Sequence, residues 1–332
     1  MLEKFCQKLV KYRIPLIAAA FVCAVLLPFV FPNKYVIRIA TVSLLYVMIT
    51  LSLNLMVGYL GQMSFGHAAF YGIGAYTAAI LTTTYDVPFL LAFVAAAVVS
   101  GLFGLLLGLP VLKLKGYYFT IITMVFCEII RVVELNWMSL TRGPLGIMAI
   151  PKPEIFGVVF KTPQMLYFLI LTLVILSTIV VHRLMNSRIG YAILAIRDDE
   201  LAAEAMGIPV FKFKMVVFII SSMMVGLAGA FYATYTSYID PSSFAAAQSN
   251  NMLVMVIFGG LGNTVGSFIG AVVLTVLPEL LRGLAQYRQL IYGVLLVVLM
   301  MVKPQGLLGD VNFKYIRQRM EQKKEEKEAL KK

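Results

Sequence analysis

Gln62, Ser64 and His67 fall within residues 54–79, NLMVGYLGQMSFGHAAFYGIGAYTAA, an otherwise apolar stretch that also holds five glycines. An amide, a hydroxyl and an imidazole can exchange hydrogen bonds with a polar solute or with a neighbouring helix. At membrane depth such groups are costly unless they face a protein interior or a watery path. With Asn54 at the start of the stretch, they are the candidate lining of a transport pathway. For His67 taken alone a second reading stands beside this one: a hydrogen bond that ties one helix to the next.

The remaining reactive side chains form no catalytic set. No serine, histidine and acid are grouped as a hydrolase requires, and His67 and His182 are the only histidines. Cys6, Cys23 and Cys127 lack metal-ligand spacing, so neither a metal nor a cofactor is expected. Glu128, Arg131 and Glu134 recur every three residues, which lets Arg131 neutralise a carboxylate on its own helix. A proton relay and an ion pair near the membrane edge are the two readings of that triplet.

The elements that position these groups are membrane helices. Of the 332 residues 61% are hydrophobic and only 13% charged, with a mean hydropathy of +0.90. The apolar runs are helix-length and continuous, without the alternation of a membrane β-barrel. The net charge of +12 does not indicate nucleic acid, because the Lys and Arg sit in short loops and at the two ends. The expected fold is therefore all-α and polytopic, with about ten transmembrane helices. Candidate spans are residues 14–31, 35–57, 64–83, 87–109, 117–135, 165–181 and 215–232, two crossings within 250–280, and 290–302. The break between the paired crossings is Gly259-Gly260-Leu261-Gly262-Asn263, where glycine and asparagine interrupt a helix. A re-entrant hairpin is the alternative there, but it leaves the basic tail on the wrong side.

Lys4, Lys8, Lys11 and Arg13 place the N-terminus in the cytoplasm. Alternation then puts Lys113 and Lys115 inside, with the loop 183–214, and the regions of Asp86 and Asp240 outside. Residues 1–302 form one transmembrane domain, and 303–332 form a cytoplasmic tail with nine Lys or Arg. Gly262, Gly266 and Gly270 recur every four residues and are read as a helix-packing stripe. The proline-rich outer loop, 136–164, is either a docking surface or a connector.

There is no G-x-x-x-x-G-K-[ST] loop, so any ATP coupling comes from a partner. The cytoplasmic loop offers a place for it. Asp198, Asp199 and Glu200 precede the helix former Leu201-Ala202-Ala203-Glu204-Ala205-Met206, and Gly207 and Pro209 follow. Acidic residues at the start and glycine at the end are helix-capping signals. The short helix is either an ordinary linker or a lever for a soluble motor.

Gly58-Tyr59-Leu60-Gly61-Gln62-Met63-Ser64-Phe65-Gly66-His67-Ala68-Ala69-Phe70 resembles a signature of branched-chain amino-acid ABC importer permeases. So does the run from Ala195-Ile196-Arg197-Asp198-Asp199-Glu200 to Gly207, then Gly226-Leu227-Ala228-Gly229-Ala230-Phe231-Tyr232 and Gly259-Gly260-Leu261-Gly262. The likeness runs in order from about residue 38 to 302, and the Ile-Arg-Asp-Asp-Glu motif makes it similar to the LivM-type subunit.

The resemblance implies a type II ABC importer permease in the bacterial plasma (inner) membrane, with both termini cytoplasmic. It implies a second homologous permease, two cytoplasmic ATP-binding subunits and an extracytoplasmic amino-acid-binding protein, and a cargo of leucine, isoleucine or valine. Arg197, Asp198, Asp199, Glu200, Glu204, Ala205 and Gly207 then belong to the helix that couples to an ATPase. The chain itself is expected to be no enzyme. Permeases for urea and short amides share much of this pattern, and an ion-coupled secondary transporter is the alternative from another class.

Overall fold

A computed structural model describes residues 24–30, 33–114, 116–155 and 157–281, together with 293, 294, 297, 301, 306 and 307. Most of the expected first span, most of the last, Lys4 to Arg13, Cys6, Cys23, Lys115 and the tail apart from 306 and 307 lie outside the described residues. What is described is helical, joined by loops and two minimal strand pairs.

Helix α1, Lys34–Asn54, opens on the Asn33 side chain, which accepts from the Tyr35 amide, and continues into a π-helical turn, Leu55–Tyr59. After a non-helical passage come α2, His67–Thr83, α3, Phe89–Val111, and α4, Tyr117–Asn136. The proline-rich segment after α4 is built from a helical turn, a 3-10 turn and short strands, of which Ile147–Met148 pairs with Tyr238–Ile239. Then follow α5, Pro163–Met185, α6, Arg188–Asp198, α7, Glu200–Ala205, and α8, Val210–Thr236. The described pair α9, Ala246–Gly259, and α10, Thr264–Leu280, completes the set.

Four described helical stretches are long and apolar enough to cross a membrane: Lys34–Tyr59, Phe89–Val111, Pro163–Met185 and Val210–Thr236. The fold is that of a polytopic membrane protein. Helix α8 lies at its centre, packed on α2 and α3. The α2–α8 contact brings backbones together: a Cβ on Gly74 would strike the backbone of Gly226, and one on Gly229 the carbonyl of Tyr71. Small residues at a helix crossing permit this approach, and dispersion over the closed gap stabilises it.

The expected span beginning at residue 64 starts helically only at His67, because Gly61 adopts φ +79° and the chain from Leu60 to Gly66 is not helical. The break at residues 259–263 is present: α9 ends at Gly259, Gly260 and Gly262 take positive φ, and the Asn263 side chain caps α10. Helix α10 runs antiparallel to α1, with Asn54 against Asn263 and Ser267, and Tyr35 against Glu279.

Helix α9, with its 14 residues, begins beside the middles of its neighbours. The Ala246 amide donates to Glu128 of α4 at 3.3 Å, and Gln248 reaches the Tyr46 hydroxyl of α1 at 2.6 Å. The chain from Ser237 to Ala245 therefore descends from the end of α8 through the strand Tyr238–Ile239 and a 3-10 turn, Pro241–Phe244, and α9 completes the descent.

Candidate functional site

The sequence-selected polar residues form two clusters, one where α1, α2 and α8 meet and one at the end of α1. In the first, the Ser52 hydroxyl donates to the Ser221 carbonyl at 2.7 Å, and the Ser221 hydroxyl returns a bond to the Ser52 carbonyl at 2.9 Å. Since Ser221 has thereby used its proton, its oxygen accepts from His67 Nε2 at 2.8 Å. His67 Nδ1 is then the acceptor, facing the Ser64 hydroxyl at 3.2 Å. His67 is 1% exposed and Ser64 fully buried, so both ring nitrogens are committed inside the subunit. One residue further on, the Ala68 amide donates to Ser249 of α9 at 2.8 Å.

The second cluster centres on Asn54. Its amide nitrogen donates to the Asn263 carbonyl at 3.1 Å and the Ser267 hydroxyl at 2.8 Å, and its oxygen accepts from the Gly262 amide at 3.0 Å. One side chain thus holds the α9–α10 turn against the end of α1. Gln62 stands apart from both clusters, with its buried Oε1 lacking a hydrogen-bond partner among the described residues. Asn54, Ser64 and His67 consequently join helices in this conformation, while Gln62 keeps an open acceptor.

The loop 183–214 reaches this region through Arg197. Its Nη1 donates to the Gly58 carbonyl at 3.1 Å, on the π-helical turn that follows Asn54. A Cβ on Gly61 would lie 2.9 Å from Arg197 Cγ, and one on Gly262 would lie 3.2 Å from Nη1. The side chain therefore passes between three backbone segments whose lack of side chains makes room for it. Sequence reasoning named Arg197 as part of the loop motif, but not this contact, which spans 139 positions.

The loop is a bent pair of helices. Ser187 caps α6, and the buried Ile193 and Ile196 seat it on the membrane helices. The bend comes at Asp199, whose carboxylate accepts from the Leu201 and Ala202 amides at 2.9 and 3.0 Å and so starts α7. Gly207, at φ +82°, takes the left-handed conformation after its end. Asp198 pairs with Arg197 at 3.2 Å, and Glu200 with the buried Lys214 ammonium at 2.7 Å, fixing α7 to the foot of α8. Ala203 faces inward, whereas Leu201, Glu204, Ala205, Met206 and Gly207 are exposed. Met206 is 83% exposed and Leu201 67%, an apolar edge on a rigid projection.

The glycines of the expected stripe divide. Gly266 and Gly270 lie where α10 meets α9, against the carbonyls of Gly259 and Met255, while Gly262 lies in the turn before α10 begins. In α4, Arg131 pairs with Glu128 at 2.7 Å, and Glu134 is buried without such a bond.

The family model described as "Branched-chain amino acid transport system / permease component" matches residues 35–302. The chain is 37% identical over 313 residues to the Salmonella typhimurium protein named high-affinity branched-chain amino acid transport system permease protein LivM, covering 87% of this chain and 73% of that one. It is 24% identical to the Escherichia coli LivH protein of the same named system, covering 81% and 92%. The E. coli ribose import permease protein RbsC is 25% identical, with 79% of each chain covered. No solved structure matches. The match to most of the chain, together with its helical membrane fold, means that the protein belongs to the branched-chain amino acid transport system permease component family.

Proposed function

We propose that this chain is one of two homologous permeases of an ATP-driven importer in a bacterial inner membrane, and that it carries leucine, isoleucine or valine. Two cytoplasmic ATPases drive it, and an extracytoplasmic binding protein delivers the cargo. The substrate assignment is supported by the 37% identity to a relative named for branched-chain amino acids, against 25% to one named for ribose.

The observation that carries the mechanism is the Arg197 contact with Gly58. The exposed edge of α7 docks in an ATPase, with Leu201 and Met206 as its apolar contacts. Because Glu200 holds Lys214 and Arg197 holds Gly58, a movement of α7 is transmitted to the feet of both α8 and α1. The π turn at Leu55–Tyr59 and the Gly259–Asn263 break are the hinges that absorb it. Asn54, Ser64 and His67 keep the wall of the translocation path in register, and Gln62 offers its free acceptor to the passing solute. The test is co-expression with candidate ATPases, companion permease and binding protein. A recovered complex whose ATPase activity rises with loaded binding protein is the expected result. A chain that purifies alone and transports in response to an ion gradient would overturn the proposal.

A further inference from the structure

The outer half of the molecule holds a second buried polar group that the coupling argument does not use. Glu134, near the end of α4, is 4% exposed, and neither carboxylate oxygen has a hydrogen-bond partner among the described residues. Arg131, one turn earlier, is engaged by Glu128. The Glu134 carboxylate points at the bare backbone of Gly72 on α2, where a Cβ would lie 2.5 Å from Oε1 and 3.0 Å from the Phe244 ring. The nearby Tyr76 hydroxyl, on a residue also 4% exposed, has no partner either, and it lies within electrostatic range of Glu134.

Aromatic rings close around this pair of acceptors. Phe244 lies 5.3 Å from Tyr71, 5.8 Å from Tyr76 and 6.3 Å from Tyr232, centroid to centroid. Phe244 ends a 3-10 turn, Pro241–Phe244, in the short connection between α8 and α9, which contains no long helix. A buried carboxylate without partners is unfavourable unless it takes up a proton or a cation meets it. A carboxylate, a hydroxyl and the faces of several rings together suit an alkylammonium, through charge-assisted hydrogen bonding and cation–π attraction. They repel a carboxylate, and they give a neutral amide no charge pairing.

We infer that Glu134 and Tyr76, beneath the Phe244 ring, form a binding site for the α-ammonium group of the amino acid entering from the extracytoplasmic side. The inference rests on the amino-acid reading of the previous subsection. In the present conformation the rings cover the site, and displacement of the segment 238–245 opens it.

The test uses the complete importer in proteoliposomes, with binding protein saturated in labelled leucine. Glu134→Gln keeps the shape and removes the charge. It is expected to lower the leucine uptake rate about tenfold while the complex is recovered normally and the concentration of loaded binding protein giving half-maximal rate stays within twofold. Glu134→Asp retains more uptake than Glu134→Gln, and Tyr76→Phe lowers it less. In the wild-type complex 3-methylbutylamine inhibits uptake, whereas 4-methylpentanoate at the same concentration does not. Uptake by Glu134→Gln within twofold of wild type, or equal effects of the amine and the acid, would overturn the site. Should Glu134→Gln fail to assemble, the amine and acid comparison on wild type decides alone. Wild-type uptake of urea and not leucine sinks the amino-acid reading itself, and this site with it, which is a different result from a silent Glu134→Gln.

Discussion

Replacing Arg197 with alanine isolates the link between the cytoplasmic loop and the membrane core. The change removes the 3.1 Å bond from Nη1 to the Gly58 carbonyl and the stem that passes Gly61. A hydrogen bond to a charged group contributes about 1.5–3 kcal/mol. The Arg197 side chain is 36% exposed, so solvent screening sets the value near the lower end, at about 1.5 kcal/mol. A factor of ten corresponds to about 1.4 kcal/mol, so the fraction of ATPase cycles that move the core falls by roughly tenfold. Leucine uptake and phosphate release measured in the same proteoliposomes read this directly as a ratio. Arg197→Ala is expected to keep most of its ATPase activity and to lose about nine-tenths of the leucine moved per ATP. Arg197→Lys, with one compact ammonium instead of a planar fork, falls between the two. An unchanged ratio in Arg197→Ala, with the complex intact, would refute the reasoning.

Other outcomes follow from the same contacts. Glu204→Lys and Gly207→Trp leave the chain inserted but uncouple uptake from hydrolysis, since both alter the exposed edge of α7 or the φ +82° turn after it; wild-type uptake by both would remove the assignment. Gly266→Leu forces α10 from α9, where the carbonyl of Gly259 already meets the Gly266 backbone, so little complex should be recovered after solubilisation; normal recovery would contradict the packing account. Asn54→Leu abandons three hydrogen bonds at the α9–α10 turn and should destabilise the subunit by about 2 kcal/mol, read as a lower thermal midpoint in detergent. Gly61→Val strains a φ of +79° and crowds Arg197, and it should reproduce the Arg197→Ala phenotype in the uptake-to-ATP ratio.

What was legible in the sequence depended on whether the signal was local. The cap at Asp199, the stop at Gly207 and the break at residues 259–263 were readable because each follows from side-chain chemistry within a few positions. The helical membrane class was readable from apolar runs. The Arg197–Gly58 contact was not, since it joins positions 139 apart and depends on how α6 sits beneath α1. Nor was the π turn at Leu55–Tyr59, whose residues are ordinary helix formers apart from Gly58 and which the Asn54 bonds to Gly262 and Ser267 help to fix. The triplet of Glu128, Arg131 and Glu134 was visible as a spacing, yet spacing could not tell which carboxylate Arg131 would choose. Helix α9 begins at Ala246, just ahead of the polar stretch 248–251, and its Gln248 and Ser249 bond to α1 and α2.

The most direct measurement is uptake of labelled leucine, with urea in parallel, into vesicles holding the ATPases, companion permease and binding protein, with and without this chain. The account predicts leucine uptake that requires both ATP and this chain, with little urea entering. Urea uptake in place of leucine would contradict the substrate, and uptake driven by an ion gradient without the ATPases would contradict the mechanism.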